Sequence, residues 1–168
     1  DKLILYAPNI HQGGGLVLLK SLINAWPKES KITAFLDLRI RNCVLLPDSS
    51  EVTWVKNTLF QRIKAEYMLC SKAKAADVIL FKNSLPPLFG CKAKVVVFMQ
   101  NRNFIEKIRL KDFKFRQALQ IFIERLWSYT FRHRVDEYIV QTESFKKIIS
   151  EWYQKHGKRI PNVKVLPF

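Results

Sequence analysis

With 168 residues, 48% of them hydrophobic, the chain suits one ordinary domain that buries a core unaided, and it is too apolar to be disordered. No apolar run approaches the ~18 residues needed to span a bilayer, and the apolar start Leu3–Ala7 breaks off too soon, at Pro8 and Asn9, to be a signal peptide. Twenty-nine Lys and Arg against fourteen Asp and Glu leave a formal charge of +15, a field that favours an anionic partner such as nucleic acid, a lipid surface or a phosphorylated substrate.

Leu3 to Ala7 reads as a buried strand and Pro8 to Gly15 as a glycine-rich turn. Leu16 to Trp26 reads as a helix, with Leu16, Leu19, Leu22, Ile23 and Trp26 on one face, and Pro27 stops it. Strands follow at Ile32–Leu38 and Val52–Val55, the latter after the turn Pro47–Ser50. Leu59 to Ser71 is helical, with Phe60, Ile63, Tyr67 and Cys70 facing in. Asp77–Phe81 and Lys94–Gln100 are strands separated by the breaker Asn83–Pro87. A long helix from Asp112 to about Arg134, a strand at Asp136–Gln141, a helix at Glu143–His156 capped by Gly157, and a strand at Val163–Leu166 complete the order.

Strands and helices alternate, and the strands are apolar on both faces. That combination predicts an α/β fold: a Rossmann-like, doubly wound, mostly parallel sheet of about seven strands with helices on both faces. There is no internal repeat. Cys43, Cys70 and Cys91 are odd in number and far apart, which argues against a disulfide framework and a zinc site and for a reducing cytoplasm.

In open α/β sheets the ligand site lies beyond the carboxyl ends of the strands. Five loops qualify here: Pro8–Gly15, Asp37–Asn42, Asn83–Phe89, Gln100–Asn103 and Thr142–Ser144. The first is the sharpest. Gly13, Gly14 and Gly15 lie between a strand and a helix, where a flexible backbone and free N–H groups favour a phosphate or a sugar. His11 in the same loop is a candidate base or hydroxyl ligand. Gln100, Asn101 and Arg102 follow the most buried strand and suit hydroxyl and phosphate recognition. Thr142 and Glu143 open a helix, where capping alone explains a hydroxyl and ligand contact is possible beside it. His133 and His156 sit on basic helical ends and read as structural or solvated.

Two other readings compete. Gly13-x-Gly15-x-x-Leu18 matches two of the three glycines of a dinucleotide fingerprint, and Asp37 stands where a ribose-binding acid belongs, which would make an NAD(P)-dependent oxidoreductase. Leu18 in the third glycine position weakens that reading. The charge also admits a non-catalytic basic binding module, but no RNA-recognition signature, zinc finger or nucleotide-binding Gly-Lys-Ser/Thr loop supports nucleic acid. The basic stretch from Lys107 to Arg134 is interleaved with aromatics. Lys107, Arg109, Lys111 and Lys114 there form a candidate patch for an anionic membrane surface.

The segments Leu3–Gly15, Val96–Asn101, Tyr138–Lys146 and Val163–Phe168, in this order and spacing, resemble the N-terminal domain of family 4 glycosyltransferases of the GT-B fold. The resemblance implies that residues 1–168 form a single acceptor-side domain, and that a C-terminal donor-binding domain of the same polypeptide follows. It implies retaining, metal-independent transfer of a sugar from a nucleotide-sugar to a glycan or lipid-linked acceptor, in cell-surface polysaccharide synthesis. No cofactor or metal is expected, and the isolated domain is expected to be inactive. By the same likeness Gly13–Gly15 approach the donor diphosphate, and Gln100 and Asn101 hold acceptor or donor sugar hydroxyls; with His11, Arg102, Thr142 and Glu143 they make up the candidate sugar-binding set. No single catalytic residue is assigned beyond His11 as a candidate. The implied location is cytoplasmic, at the inner face of the cell membrane.

Overall fold

The computed structural model describes residues 2–27, 31–106, 113–156 and 160–167. Its elements run β1 (Leu3–Ala7), α1 (Gly13–Asn24), β2 (Thr33–Asp37), β3 (Glu51–Val55), α2 (Leu59–Lys72), β4 (Val78–Phe81), β5 (Lys94–Phe98), α3 (Phe115–Phe131), β6 (Glu137–Val140), α4 (Glu143–Lys155) and β7 (Asn162–Val165). Short 3-10 turns occupy Leu38–Ile40, Arg102–Phe104 and Arg132–Arg134.

The seven strands form one sheet in the order β3-β2-β1-β4-β5-β6-β7, and every neighbouring pair is parallel. From β1 the chain winds outward to β3, then crosses to β4 beside β1 and winds the other way. The switch point is therefore between β1 and β4, where a crevice is expected at the carboxyl edge.

Alternation along the strands divides the core. Leu5 and Ala7 of β1 and Ala34 and Leu36 of β2 pack under Leu19 and Ile23 of α1 on one face. Tyr6, Phe35, Phe81, Val97, Tyr138 and Val140 face the other way, against Ala65 and Leu69 of α2 and Phe145, Ile149 and Tyr153 of α4. Each fully buried Leu or Ile contributes about 1.5–3 kcal/mol, so the central strands are fixed in register. The expected doubly wound α/β architecture is the observed one, with the sheet wholly parallel among the described residues.

Three expectations are corrected. The first concerns α2, which does not turn Phe60 and Tyr67 inward: they are 72% and 59% exposed. Ala65, Glu66, Leu69 and Cys70 form its buried face instead. The second concerns the cysteines: Cys70 and Cys91 are joined in a disulfide, with Cα atoms 4.5 Å apart, and only Cys43 is free. The cysteines therefore give no support to a reducing compartment. The third concerns the glycine turn, which does not precede the helix; Gly13–Gly15 are the first turn of α1. The expected cap Gly157, and Lys107, Arg109 and Lys111 of the basic patch, lie outside the described residues.

No helix among the described residues is long and apolar enough to cross a membrane. Helix α3 buries only Ile121 and Ser128. It leaves Phe115, Leu119, Phe122, Ile123, Leu126 and Tyr129 exposed along its outer side.

Candidate functional site

At the switch point the carboxyl ends of β1, β4 and β5 enclose a recess of about 250 Å³, lined by Asn9, Ile10, His11, Gln12, Gly15, Lys82, Asn83, Ser84 and Gln100. A larger recess of about 800 Å³ lies at the opposite, amino edge of the sheet, bordered by Val135, Asp136 and Asn162. Its principal cation, Arg132, is already engaged: it lies 3.9 Å over the Tyr129 ring and donates to the Tyr129 carbonyl. The smaller recess occupies the edge where parallel sheets bind ligands.

The first wall is the β1–α1 junction. Gly13 has φ +66°, a conformation that only glycine adopts freely. Above Gly13 and Gly14 there is open space, and a Cβ added to either would meet nothing within 4 Å. Gly15 packs closely on Ile10, 3.5 Å away, and reaches the recess. Gln12 occupies the position before α1 but makes no side-chain cap, and the first turn holds no acidic residue. The first N–H groups of α1 thus keep their partial positive charge. His11 Nδ1 is buried without a hydrogen-bond partner.

The second wall is the exit of β4. Lys82 continues the ladder by donating its backbone N–H to Tyr6 O, 2.9 Å away. Its side chain is 4% exposed and its ammonium lies 4.3 Å over the Phe98 ring. Burial pulls that ammonium down from its ordinary 10.5 to about 8. Asn83 Oδ1 is buried without a partner. Ser84 has φ +62°, a left-handed conformation uncommon for a residue with a side chain. Its hydroxyl donates to Phe98 O at 3.5 Å and accepts from Gln100 N at 3.0 Å. Such strain persists only where the surroundings enforce it, and it concentrates at functional sites.

The β4–β5 loop is pinned from behind. Glu66 of α2 accepts from the backbone N–H groups of Leu88 and Phe89, and burial raises its carboxyl to about 7. Trp127 Nε1 donates to Pro86 O at 2.8 Å, and Arg134 donates to Leu88 O. With the Cys70–Cys91 link, these contacts hold the loop against α2 and α3.

Of the residues singled out from sequence, the structure brings His11, Gly15 and Gln100 into one recess, with Gly13 and Gly14 beside it. The others have local roles. Asn101 Oδ1 accepts from Asn103 N at 3.0 Å and caps the short turn after β5. Arg102 pairs with Glu106 at 3.2 Å and faces the Phe145 ring. Thr142 caps α4 by accepting from Phe145 N at 3.2 Å. Glu143 is exposed and lies 3.7 Å from Lys146. Lys114 is exposed, just before α3. His133 and His156 each approach a carbonyl of the preceding helical turn. Asn83 and Ser84 lie in the candidate loop Asn83–Phe89 without being singled out in it, and Lys82 gives no signal because a lysine ending an apolar strand reads as solvated.

Asp37, the residue that a dinucleotide site needs, is fully buried. Both its oxygens are taken by Arg39, at 2.9 and 2.6 Å. Burial pushes its carboxyl up, but the hydrogen bonds and charge of Arg39, with a smaller share from His11, hold it below the usual range. Because the side chain is fully buried, neither oxygen is open to a ribose hydroxyl. Among the described residues no group of His, Cys, Asp and Glu could hold a metal ion.

No protein-family model matches the chain, and no curated protein matches it. Among solved structures its fold is similar to that of Phytolacca americana UGT2 complexed with UDP-2fluoro-glucose and pterostilbene, with a TM-score of 0.53 at 12% identity. The match covers 100% of this chain and 54% of that one, so the chain spans about half the length of its structural neighbour. The likeness is one of fold: a Rossmann-like, parallel α/β sheet.

Proposed function

We propose that this chain is the N-terminal, acceptor-binding half of a retaining, metal-independent glycosyltransferase of the GT-B type, resembling family 4. It would transfer a sugar from a nucleotide-sugar to a glycan or lipid-linked acceptor, with the donor bound mainly by a C-terminal domain of the same polypeptide. The observation that carries the reading is the recess at the switch point, on a fold similar to half of a protein that holds a nucleotide-sugar. Amides, a hydroxyl and an imidazole converge there without filling it, as recognition of a polyhydroxyl ligand requires. Work at the inner face of a cell membrane fits the charge of +15.

The test is direct. The parent polypeptide, extended through its second domain, should move labelled sugar from a nucleotide-sugar to a membrane-extract acceptor, and residues 1–168 alone should not. Micromolar binding of a nucleotide-sugar to residues 1–168 alone would overturn the division of labour. Micromolar quenching of tryptophan fluorescence by NAD would overturn the reading in favour of an oxidoreductase, against which the Arg39-bound Asp37 already argues.

A further inference from the structure

Lys82 is the one cation among the recess-lining residues, and no carboxylate lines the recess with it. Most other buried charges are matched; among the described residues Arg132, with the Tyr129 carbonyl and ring but no carboxylate and an unpartnered Nε, is the exception. Glu137 has Lys94, Lys164 and Asn162 within 3.2 Å, Asp37 has Arg39, and Asp77 accepts from the backbone N–H groups of Lys2 and Lys74. Among the described residues the Lys82 ammonium has the face of Phe98 and no carboxylate. A ring face replaces little of the water that an ammonium loses on burial. The uncapped N-terminus of α1 opens on the same recess through Gln12 and Gly15, and adds positive potential. His11 Nδ1 and Asn83 Oδ1, both unpartnered, complete a polar lining around the cation.

We infer that the recess is a subsite for an anionic oxygen group, a phosphate or a carboxylate, held by Lys82, and that the acceptor carries this group. The second half of this inference rests on the transferase reading above; the first does not. A recess of about 250 Å³ is below the ~300–1,000 Å³ of pockets that enclose whole drug-sized ligands. It suits one charged sugar or headgroup, with the rest of the acceptor lying outside. The arriving anion supplies the counter-charge that the fold withholds, so the ammonium that burial has weakened becomes fully charged again.

The experiment uses residues 1–168 and four probes: glycerol 3-phosphate, glucuronate, glucose and UDP. Calorimetry at pH 8 in two buffers of different ionisation enthalpy reads affinity and proton uptake together. At least one of the two acidic probes should bind, and glucose should bind far more weakly. Each bound anion should take up a fraction of a proton, because burial leaves Lys82 only partly charged near that pH. Lys82→Met should weaken the acidic probe about 30-fold or more and abolish the uptake. UDP should bind residues 1–168 only weakly, and equally weakly in Lys82→Met.

Failure of both acids to bind, equal binding of glucose, or an unaltered Lys82→Met would overturn the subsite. An equal loss for UDP would overturn the acceptor assignment and give the anion to the donor. Sugar transfer by the extended polypeptide without these effects would sink the anion subsite and spare the transferase. Intact anion binding in a polypeptide that transfers nothing would do the reverse.

Discussion

Replacing Lys82 by methionine should make the protein more stable. Methionine keeps the unbranched stem and removes the ammonium. Burial lowers that ammonium from 10.5 to about 8, a drop equivalent to about 3 kcal/mol of destabilised charge at neutral pH. Water reaching the open side of the recess screens part of this, and the loss of the Phe98 contact removes about 0.5–1 kcal/mol more. A net gain of about 1–2 kcal/mol remains, or about 2–8 °C in Tm for a domain of this size. The gain should also depend on pH. A group whose folded value is depressed sheds its proton in the folded protein first, so wild-type stability rises between pH 8 and 10.5. The advantage of Lys82→Met should therefore be full at pH 7 and shrink towards pH 10. Thermal melts of both proteins from pH 7 to 10, followed by circular dichroism, supply the comparison. A lower Tm for Lys82→Met, or a gap that does not change with pH, would mean that Lys82 is a structural residue whose charge is satisfied.

Three further outcomes follow from other residues. Glu66→Gln keeps an acceptor for the Leu88 and Phe89 amides and removes a carboxyl raised to about 7. Because the wild-type folded state holds that proton more tightly than the unfolded chain, wild-type stability should fall between pH 4.5 and 7 by at most about 3 kcal/mol, and Glu66→Gln should flatten this slope in urea titrations. Arg39→Gln strands the buried Asp37 carboxylate and should cost about 1–3 kcal/mol at pH 7. The difference from wild type should shrink as pH falls below 3.8 and vanish once pH passes the lowered folded value, where Asp37 is protonated in the folded protein as well. Phe122→Glu with Leu126→Glu changes two side chains that are 53% and 55% exposed, so Tm should move little. Sedimentation with phosphatidylglycerol vesicles should nevertheless drop about tenfold or more if α3 meets the membrane; unchanged sedimentation would clear α3 of that role.

Much of the fold is legible because the central strands declare themselves. Leu3–Ala7 and Val95–Val97 are unbroken apolar runs, as only a strand buried on both faces requires, and Pro8, Asn83 and Pro86 mark where strands must end. The helix faces are less legible. Aromatic weight suggests that Phe60 and Tyr67 turn inward, yet Glu66 does so because the Leu88 and Phe89 amides need an acceptor. That partner is 22 residues away and leaves no local trace. The Cys70–Cys91 link is hidden for the same reason, since an odd cysteine count and a separation of 21 residues carry no pairing signal. In the site, the glycines announce one wall through composition. The other wall depends on the β1–β4 pairing, which brings Lys82 beside Tyr6 across 76 positions of chain.

The two walls also differ in what could replace them. Gly13 is held by backbone conformation, and any side chain there meets open space but a strained φ. Lys82 is under no such constraint, since an apolar side chain of the same length would pack on Phe98 and remove a desolvated charge. Nor does the strand need it, because the Tyr6 carbonyl is bonded to the Lys82 backbone, which every residue except proline can supply. Packing, pairing and backbone geometry therefore leave the ammonium unexplained. Beside it Ser84 keeps a left-handed backbone and ties the exits of β4 and β5 together. A strained turn beside a desolvated charge at the switch point is costly to the fold twice over, and on the subsite proposed above an anion in the recess would offset the cost of the charge.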